Sequence, residues 1–233
     1  MIMTPIDREG LTEIAPGLWI TSIPHRFVGL HIGTRMTVVR LATGELLLHS
    51  PVAMTPELRR AIDSIGPVAH IVCPNVFHHS YAGEAVSAYP NAVLHGPRQL
   101  QKRRRDLHFA ATLSDTPHPG WNGELLSATI AGSLMAETVL YHVPTRTLIT
   151  SDLVENFHDH PHAFTRAYLK LGGLLGKVGW HPLLRPVYYN RRRARASVER
   201  ILALPFDRVI IAHGDIITRD ARATLRNGLS WLL

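Results

Sequence analysis

The sequence predicts an α/β fold, a four-layer αββα sandwich in which two mixed β-sheets face each other between helices. Three observations predict it. A chain of 233 residues with 45% hydrophobic content can bury one large core, and no segment has the composition of a disordered region. Strands followed by helices occur twice along the chain, and apolar sheet faces of that kind are covered by packing helices on sheets. Finally, three apolar strand patterns end in side chains of metal-ligand type. Ile71-Val72-Cys73-Pro74-Asn75 leads to His78-His79, Leu148-Ile149-Thr150-Ser151 leads to Asp152, and Val209-Ile210-Ile211-Ala212 leads to His213. In sheets covered by helices, groups at strand C-termini project into the loops where sites are built, so three such ends can converge.

Taken in order, Leu18 to Ile23 reads as an opening strand after the Pro16-Gly17 turn, and 37–41 with 45–49 reads as a hairpin across Thr43-Gly44. Thr55 before Pro56-Glu57 is a helix N-cap with proline at the first helical position, and Leu58, Ala61, Ile62 and Ile65 have helical spacing. A strand at 69–73 follows. A helix of about seven residues is expected after Gly83, then a short strand at 92–95 and an exposed basic helix from Arg98 to Arg105. Three more strands are expected at 124–132, 137–142 and 147–150. The segment 156–190 breaks the pattern with Gly172-Gly173 and the pairs His160-Pro161 and His181-Pro182, and reads as a lid or insertion, helical from Ala163 to Leu175. Arg191 to Leu204 is an amphipathic helix with Ala194, Val198, Ile201 and Leu202 on one side, and Ala221 to Leu233 is the closing helix. No internal repeat interrupts this order, so a single domain over 1–233 is expected.

The formal net charge of +7 is carried mainly by arginine, with clusters at Lys102-Arg103-Arg104-Arg105 and Arg191-Arg192-Arg193-Ala194-Arg195. Neither cluster comes with a reading element or stacking aromatics, so nucleic acid is not an expected partner. Solvated helix faces are the plain reading, and an anionic small-molecule substrate or ligand, or an acidic membrane surface, is the functional one. No apolar run reaches the length that spans a bilayer, and residues 1–9 lack the hydrophobic segment of a signal peptide, so a cytoplasmic protein is expected. The single Cys73 excludes an intramolecular disulfide and reads as a small core residue. The Trp231-Leu232-Leu233 end would suit a homodimer contact.

These strand ends and their order resemble the metallo-β-lactamase superfamily, and more closely a divergent DUF4336-like branch whose members carry a Pro-Asn-x-x-His-His element, here Pro74 to His79. The resemblance covers roughly residues 11 to 220. It implies the αββα sandwich with a metal site at one edge. The match is partial: the family's His-x-His-x-Asp-His-x-Gly-Gly motif, aligned on Gly83, has Asn75 and Phe77 at its first two histidines, His79 at the aspartate and Ser80 at the third histidine. His49 stands near a place where the family often has aspartate, and the loop 130–137 lacks the family's histidine. Asp152 matches the bridging carboxylate and His213 the last histidine.

The resemblance therefore implies a reduced, mononuclear site. His79, Asp152 and His213, with His78 as fourth ligand, second-shell donor or general acid, would hold one divalent metal, zinc before iron, and His78 and Asp152 would act in catalysis. The implied function is metal-dependent hydrolysis. Its rivals are a non-catalytic protein that binds a ligand or partner on the same fold, and an iron-dependent oxidoreductase. Among other residues, Asn75 reads as a cap of its loop, and Glu137 as bonded within its own loop or as a replacement for the absent histidine. His158, His160 and His162 have metal-site composition but awkward spacing, Asn156 and Phe157 read as pocket lining, and His25, His31 and His118 read as isolated loop histidines.

Overall fold

A computed structural model describes residues 10–233. The stretch 1–9, read above for a leader, lies outside the described residues. The strands are β1 (Thr12–Ala15), β2 (Leu18–Ile23), β3 (Arg26–Phe27), β4 (Leu30–His31), β5 (Thr34–Arg40), β6 (Leu46–His49), β7 (Val68–Val72) and β8 (Val93–Gly96). They continue with β9 (Ala111–Thr112), β10 (Leu125–Thr129), β11 (Thr138–His142), β12 (Thr147–Ile149), β13 (Glu155–Phe157), β14 (Lys177–Gly179) and β15 (Arg208–Ile210). The helices are α1 (Pro56–Asp63), α2 (Ala82–Ala88), α3 (Arg98–Arg103), α4 (Ala163–Leu171), α5 (Arg191–Leu202) and α6 (Ala221–Gly228). The chain forms two compact units, one of the described residues up to Ile23 with Arg35–Thr112, the other of Pro24–Thr34 with Leu113–Leu233.

The first unit carries a seven-stranded mixed sheet in the order β1-β2-β5-β6-β7-β8-β9. The hairpin β5–β6 is antiparallel and pairs Thr37 with His49, whereas β6, β7, β8 and β9 run parallel. Parallel neighbours need crossovers, and α1, α2 and α3 supply them. The Thr55 hydroxyl accepts the Leu58 N–H at 3.2 Å, which satisfies one of the donors a helix start leaves open, and Leu58, Ala61 and Ile62 are buried as their spacing predicts. β6 is four consecutive buried residues rather than an alternation, the burial pattern of parallel strands in mixed α/β sheets. Cys73 is buried and its thiol is pushed up to about 12, first by burial, which makes it a core residue and a poor nucleophile.

The second unit carries a four-stranded mixed sheet, β10-β11-β12-β15, with only the β12–β15 pair parallel. Its core joins Val139, Tyr141, Leu148 and Val209 of the sheet to Ala194, Val198, Ile201 and Leu202 of α5 and to Ala221 and Leu225 of α6. The four α5 residues are those the helical spacing selects, and burying each of the three larger ones contributes about 1.5–3 kcal/mol. The segment read as a lid or insertion contains β13 and β14, which pair antiparallel, and α4. The α4 helix stops at Leu171, short of the expected Leu175, because Gly172-Gly173 ends it and Gly173 adopts a positive φ. The last helix stops at Gly228 rather than Leu233. No helix among the described residues is long and apolar enough to cross a membrane.

Candidate functional site

In the second unit the parallel pair β12–β15 places Leu148 beside Val209 and Ile149 beside Ile210. Asp152 and His213 each stand three residues past that ladder, and the same stagger brings them together, His213 Nε2 lying 3.0 Å from Asp152 Oδ1. Both residues are buried. The other ring nitrogen, His213 Nδ1, donates to the Gly33 carbonyl at 2.8 Å, a bond that fixes the tautomer, since a carbonyl can only accept. Nε2 then meets a carboxylate oxygen, and two lone pairs at that distance require a proton or a cation between them. Burial lowers the pKa of His213, but the Asp152 hydrogen bond and charge, with help from Glu155 and Gly33, outweigh it and the net shift is upward.

Backbone clamps hold both strand ends. Glu137 is buried, and its carboxylate accepts the Ser151 N–H at 2.8 Å and the Asp152 N–H at 3.0 Å. This clamp on the next strand end is a role the sequence did not suggest, beside the two readings it allowed. Asn156, read as pocket lining, binds the other strand end: its N–H donates to the His213 carbonyl at 3.3 Å, its carbonyl accepts the Asp215 N–H at 2.8 Å, and its side-chain amide donates to the Asp215 carbonyl at 2.9 Å. Gly214 lies so close that a Cβ there would collide with the Asn156 carbonyl, and its φ is +90°. Glu155, three residues past Asp152, is a buried carboxyl whose Oε2 has no hydrogen-bond partner among the described residues. Burial pushes its pKa up to about 7, with Asp152 adding to the rise and His213 opposing it.

The first unit holds the two adjacent histidines in a loop capped by Asn75, whose Oδ1 accepts the N–H groups of Phe77 and His78 at 2.8 and 2.9 Å, as its sequence reading expects. His78 Nδ1 lies 2.7 Å from the Ser50 hydroxyl. Ser50 has a φ of 57°, a left-handed conformation that costs a non-glycine residue about 1 kcal/mol or more and here aims the hydroxyl at the ring. His79 has a different neighbour. The Arg104 guanidinium lies 2.9 Å from His79 Nδ1 and donates to the His79 carbonyl at 3.2 Å, while it also forms a bidentate pair with Asp106. A guanidinium has no acceptor, so Nδ1 accepts and the neutral ring carries its proton on Nε2. Burial and then the Arg104 charge hold the His79 pKa low. His49, at the end of β6, is buried, its Nε2 has no hydrogen-bond partner among the described residues, and burial followed by His78 lowers its pKa to about 3.

The remaining histidines are less isolated than their sequence suggests. His31 stacks on His162 with ring centroids 3.6 Å apart, and His160 lies 5.5 Å from His162. Hairpin β3–β4 joins them because its His31 N–H donates to the Thr165 hydroxyl in the first turn of α4 at 3.0 Å. Loop residues so far apart in sequence give no periodic signal. The two Arg clusters lie largely on exposed helix faces, Arg195 pairing with Glu199 one turn on at 2.8 Å.

The chain has the fold of the metallo-β-lactamases. It is similar to a metallo-β-lactamase from Pontibacter korlensis, with a TM-score of 0.64 and 14% identity over 95% of this chain and 97% of the other. The DIM-1 metallo-β-lactamase gives a TM-score of 0.66 at 13% identity, with 95% of each chain covered. The metal-soaked Flv1 flavodiiron core from Synechocystis sp. PCC6803 gives 0.68 at 14% identity, over 95% of this chain and 60% of that one. Identities this low speak to the fold alone, and no curated protein matches the chain. The model of the domain of unknown function DUF4336 matches residues 18–174, more than half of the chain. With its Pro-Asn-x-x-His-His element inside that span, this chain belongs to the DUF4336 family, a divergent branch on the metallo-β-lactamase fold.

Proposed function

We propose that this protein is a metal-dependent hydrolase with a reduced, mononuclear site for one divalent cation, zinc in preference to ferrous iron. The observation that carries the reading is the buried pair of His213 Nε2 and Asp152 Oδ1, 3.0 Å apart, with Nδ1 already committed to a backbone carbonyl. Ligating histidines usually have this support, the second ring nitrogen donating to a carbonyl or carboxylate. His78 is proposed as the further ligand. His78, Asp152 and His213 supply two imidazoles and a carboxylate, residue types that suit zinc or ferrous iron with positions left open. Because Ser50 engages Nδ1 of His78, ligation there would use Nε2.

His79 leaves the ligand set in this proposal, because its Nδ1 accepts from Arg104 and a neighbouring guanidinium opposes a second cation. Bound in the site, the metal would supply Lewis acidity and a water pKa lowered toward about 7. The protein's own part is to hold Asp152 in place through Glu137, to orient His213 through Gly33 and Asn156, and to keep Glu155 as a buried carboxyl that exchanges a proton near neutrality. The segment 156–190 is the lid in this reading.

The test is elemental mass spectrometry on protein purified without a metal-chelating tag, beside Asp152→Ala and His213→Ala. About one zinc or iron per chain, lost in both variants, is expected. A wild-type protein that takes up no zinc, iron or manganese would sink the hydrolase reading and leave a ligand-binding protein on the same fold.

A further inference from the structure

An open cavity of about 400 Å³ in the second unit is lined by His25, Arg26, His31, Gly33, His160 and His162, with two prolines and, among the described residues, no carboxylate. Its walls are hairpin β3–β4 and the loop that leads into α4, tied together by the His31 to Thr165 bond. Four imidazoles suggest a metal at first, but the ring geometry argues otherwise. His31 and His162 are stacked, with 28° between their planes, so their nitrogens lie side by side rather than converging on one ion from separate directions. His160 Nδ1 accepts the His162 backbone N–H at 3.2 Å, which leaves the proton of the neutral ring on Nε2 and makes that edge a donor.

Among the described lining residues Arg26 is the one permanent charge, and it is positive. The carboxylates close by are engaged elsewhere: Asp159 pairs with Arg166 at 2.9 Å and accepts the His160 N–H at 2.8 Å, and Asp215 faces His158 at 3.9 Å. Helix α4 begins at the cavity wall, where its N-cap His162 gives no side-chain acceptor and the first turn has no acid, so the helix end adds positive potential. After burial, the charges of Arg26, His162 and His160 lower the pKa of His31, which reports the same crowding of positive charge.

We propose that this cavity binds the oxyanion of a small molecule, a phosphate or carboxylate group, with Arg26 and the Nε2–H of His160 as the principal donors and the His31–His162 stack as its wall. Gly33 both lines the cavity and accepts from His213 at 2.8 Å, so the bound group would lie beside the support of that histidine. That the oxyanion belongs to the hydrolase's substrate rests on the metal-site reading; that the cavity takes an oxyanion does not.

Calorimetric titration of the full chain with inorganic phosphate, and separately with glutarate, tests this. The proteins are wild type, the Arg26→Gln/His160→Gln double variant, Arg26→Lys and Asp152→Ala. Saturable binding of one probe or both is expected, weakened at least about tenfold in the double variant, which removes two charge-assisted bonds, and largely kept in Arg26→Lys. Retention of binding in Asp152→Ala separates the oxyanion site from the metal site, so a failed metal assay leaves this result standing. Absence of saturable binding by either probe in the wild type, unchanged binding in the double variant, or loss of binding in Asp152→Ala would each overturn the proposal. A zinc equivalent lost only in the double variant would overturn it in favour of a histidine metal site.

Discussion

Glu137 and Asp152 are two buried acids with divided tasks, the carboxylate of the first holding the backbone of the second. The two bonds from Ser151 and Asp152 neutralise part of the Glu137 charge and fix where the Asp152 side chain starts. Glu137→Ala would strand two buried N–H groups, at about 1–3 kcal/mol each, and release the strand end. The expected outcome is a loss of about 2–5 kcal/mol in denaturant unfolding and metal affinity lower by about 10- to 100-fold, with Glu137→Gln intermediate because one acceptor survives. Unfolding curves and competitive zinc titration check both, and a variant that matches wild type in each would remove Glu137 from the site's support.

Glu155 gives the metal-free protein a pH dependence of uncommon sign. Its folded pKa is about 7, above the ordinary 4.5, so the stability it contributes is fully present below pH 4.5 and is lost as the pH rises to about 7. His213, also raised, acts in the same sense: its contribution is complete below pH 6.5 and is lost as the pH rises through its folded value. Metal-free protein should therefore lose a few kcal/mol between about pH 4.5 and 8, and Glu155→Gln should flatten the portion below pH 7. Melting temperature against pH, in chelator, is the measurement; equal slopes for wild type and variant would contradict the assignment.

His49 works in the opposite direction. Its pKa is about 3 in the folded protein against an ordinary 6.5, so its contribution is present above pH 6.5 and is lost as the pH falls toward 3. An apolar His49→Leu substitution removes that liability and the buried Nε2 together. The variant should unfold at lower pH than wild type in an acid titration followed by circular dichroism, while their stabilities stay close at pH 7.5. An acid midpoint that does not move would show that other groups set the acid limit.

The sequence made the long elements legible because they carry periodic signals. Helix α1 shows its cap and its buried face, α5 shows its apolar stripe, and the apolar runs before Asp152 and His213 show where two strands end. What it did not show depends on register and on distant partners. The β11–β12 ladder pairs Leu140 with Ile149, and continuing it places Glu137 opposite Asp152, yet no local pattern reveals a pairing register. The strands β3, β4 and β9 have two residues each, too few for any alternation to be seen.

The two adjacent histidines show the same limit. Alternation along a strand would send His78 and His79 to opposite sides, but they lie in a loop, and what distinguishes them is Ser50 on one ring and Arg104 on the other. Those partners are 28 and 25 residues away in sequence. If His78 is a ligand, Ser50→Ala should weaken zinc binding about tenfold by freeing the ring to turn. Ser50→Gly should weaken binding equally while relieving the left-handed strain, so it should fold better than the alanine variant. Wild-type zinc affinity in both variants would argue against His78.

Gly214 marks the point where the site tolerates least change. It follows His213 directly, its φ of +90° is one that side chains rarely adopt, and a Cβ would collide with the carbonyl of Asn156. That carbonyl is itself engaged by the Asp215 N–H, so it cannot retreat without breaking the clamp that holds the His213 strand end. Gly214→Ala should cost at least about 3 kcal/mol and, in whatever protein still folds, displace His213 from Gly33. Hydrogen exchange at the Asn156 and Asp215 amides reads the clamp directly. Fast exchange at both, together with lost zinc binding, is the expected result. Protection equal to wild type would mean that the β13 backbone can move aside, and that the approach of Gly214 to Asn156 does not position the histidine.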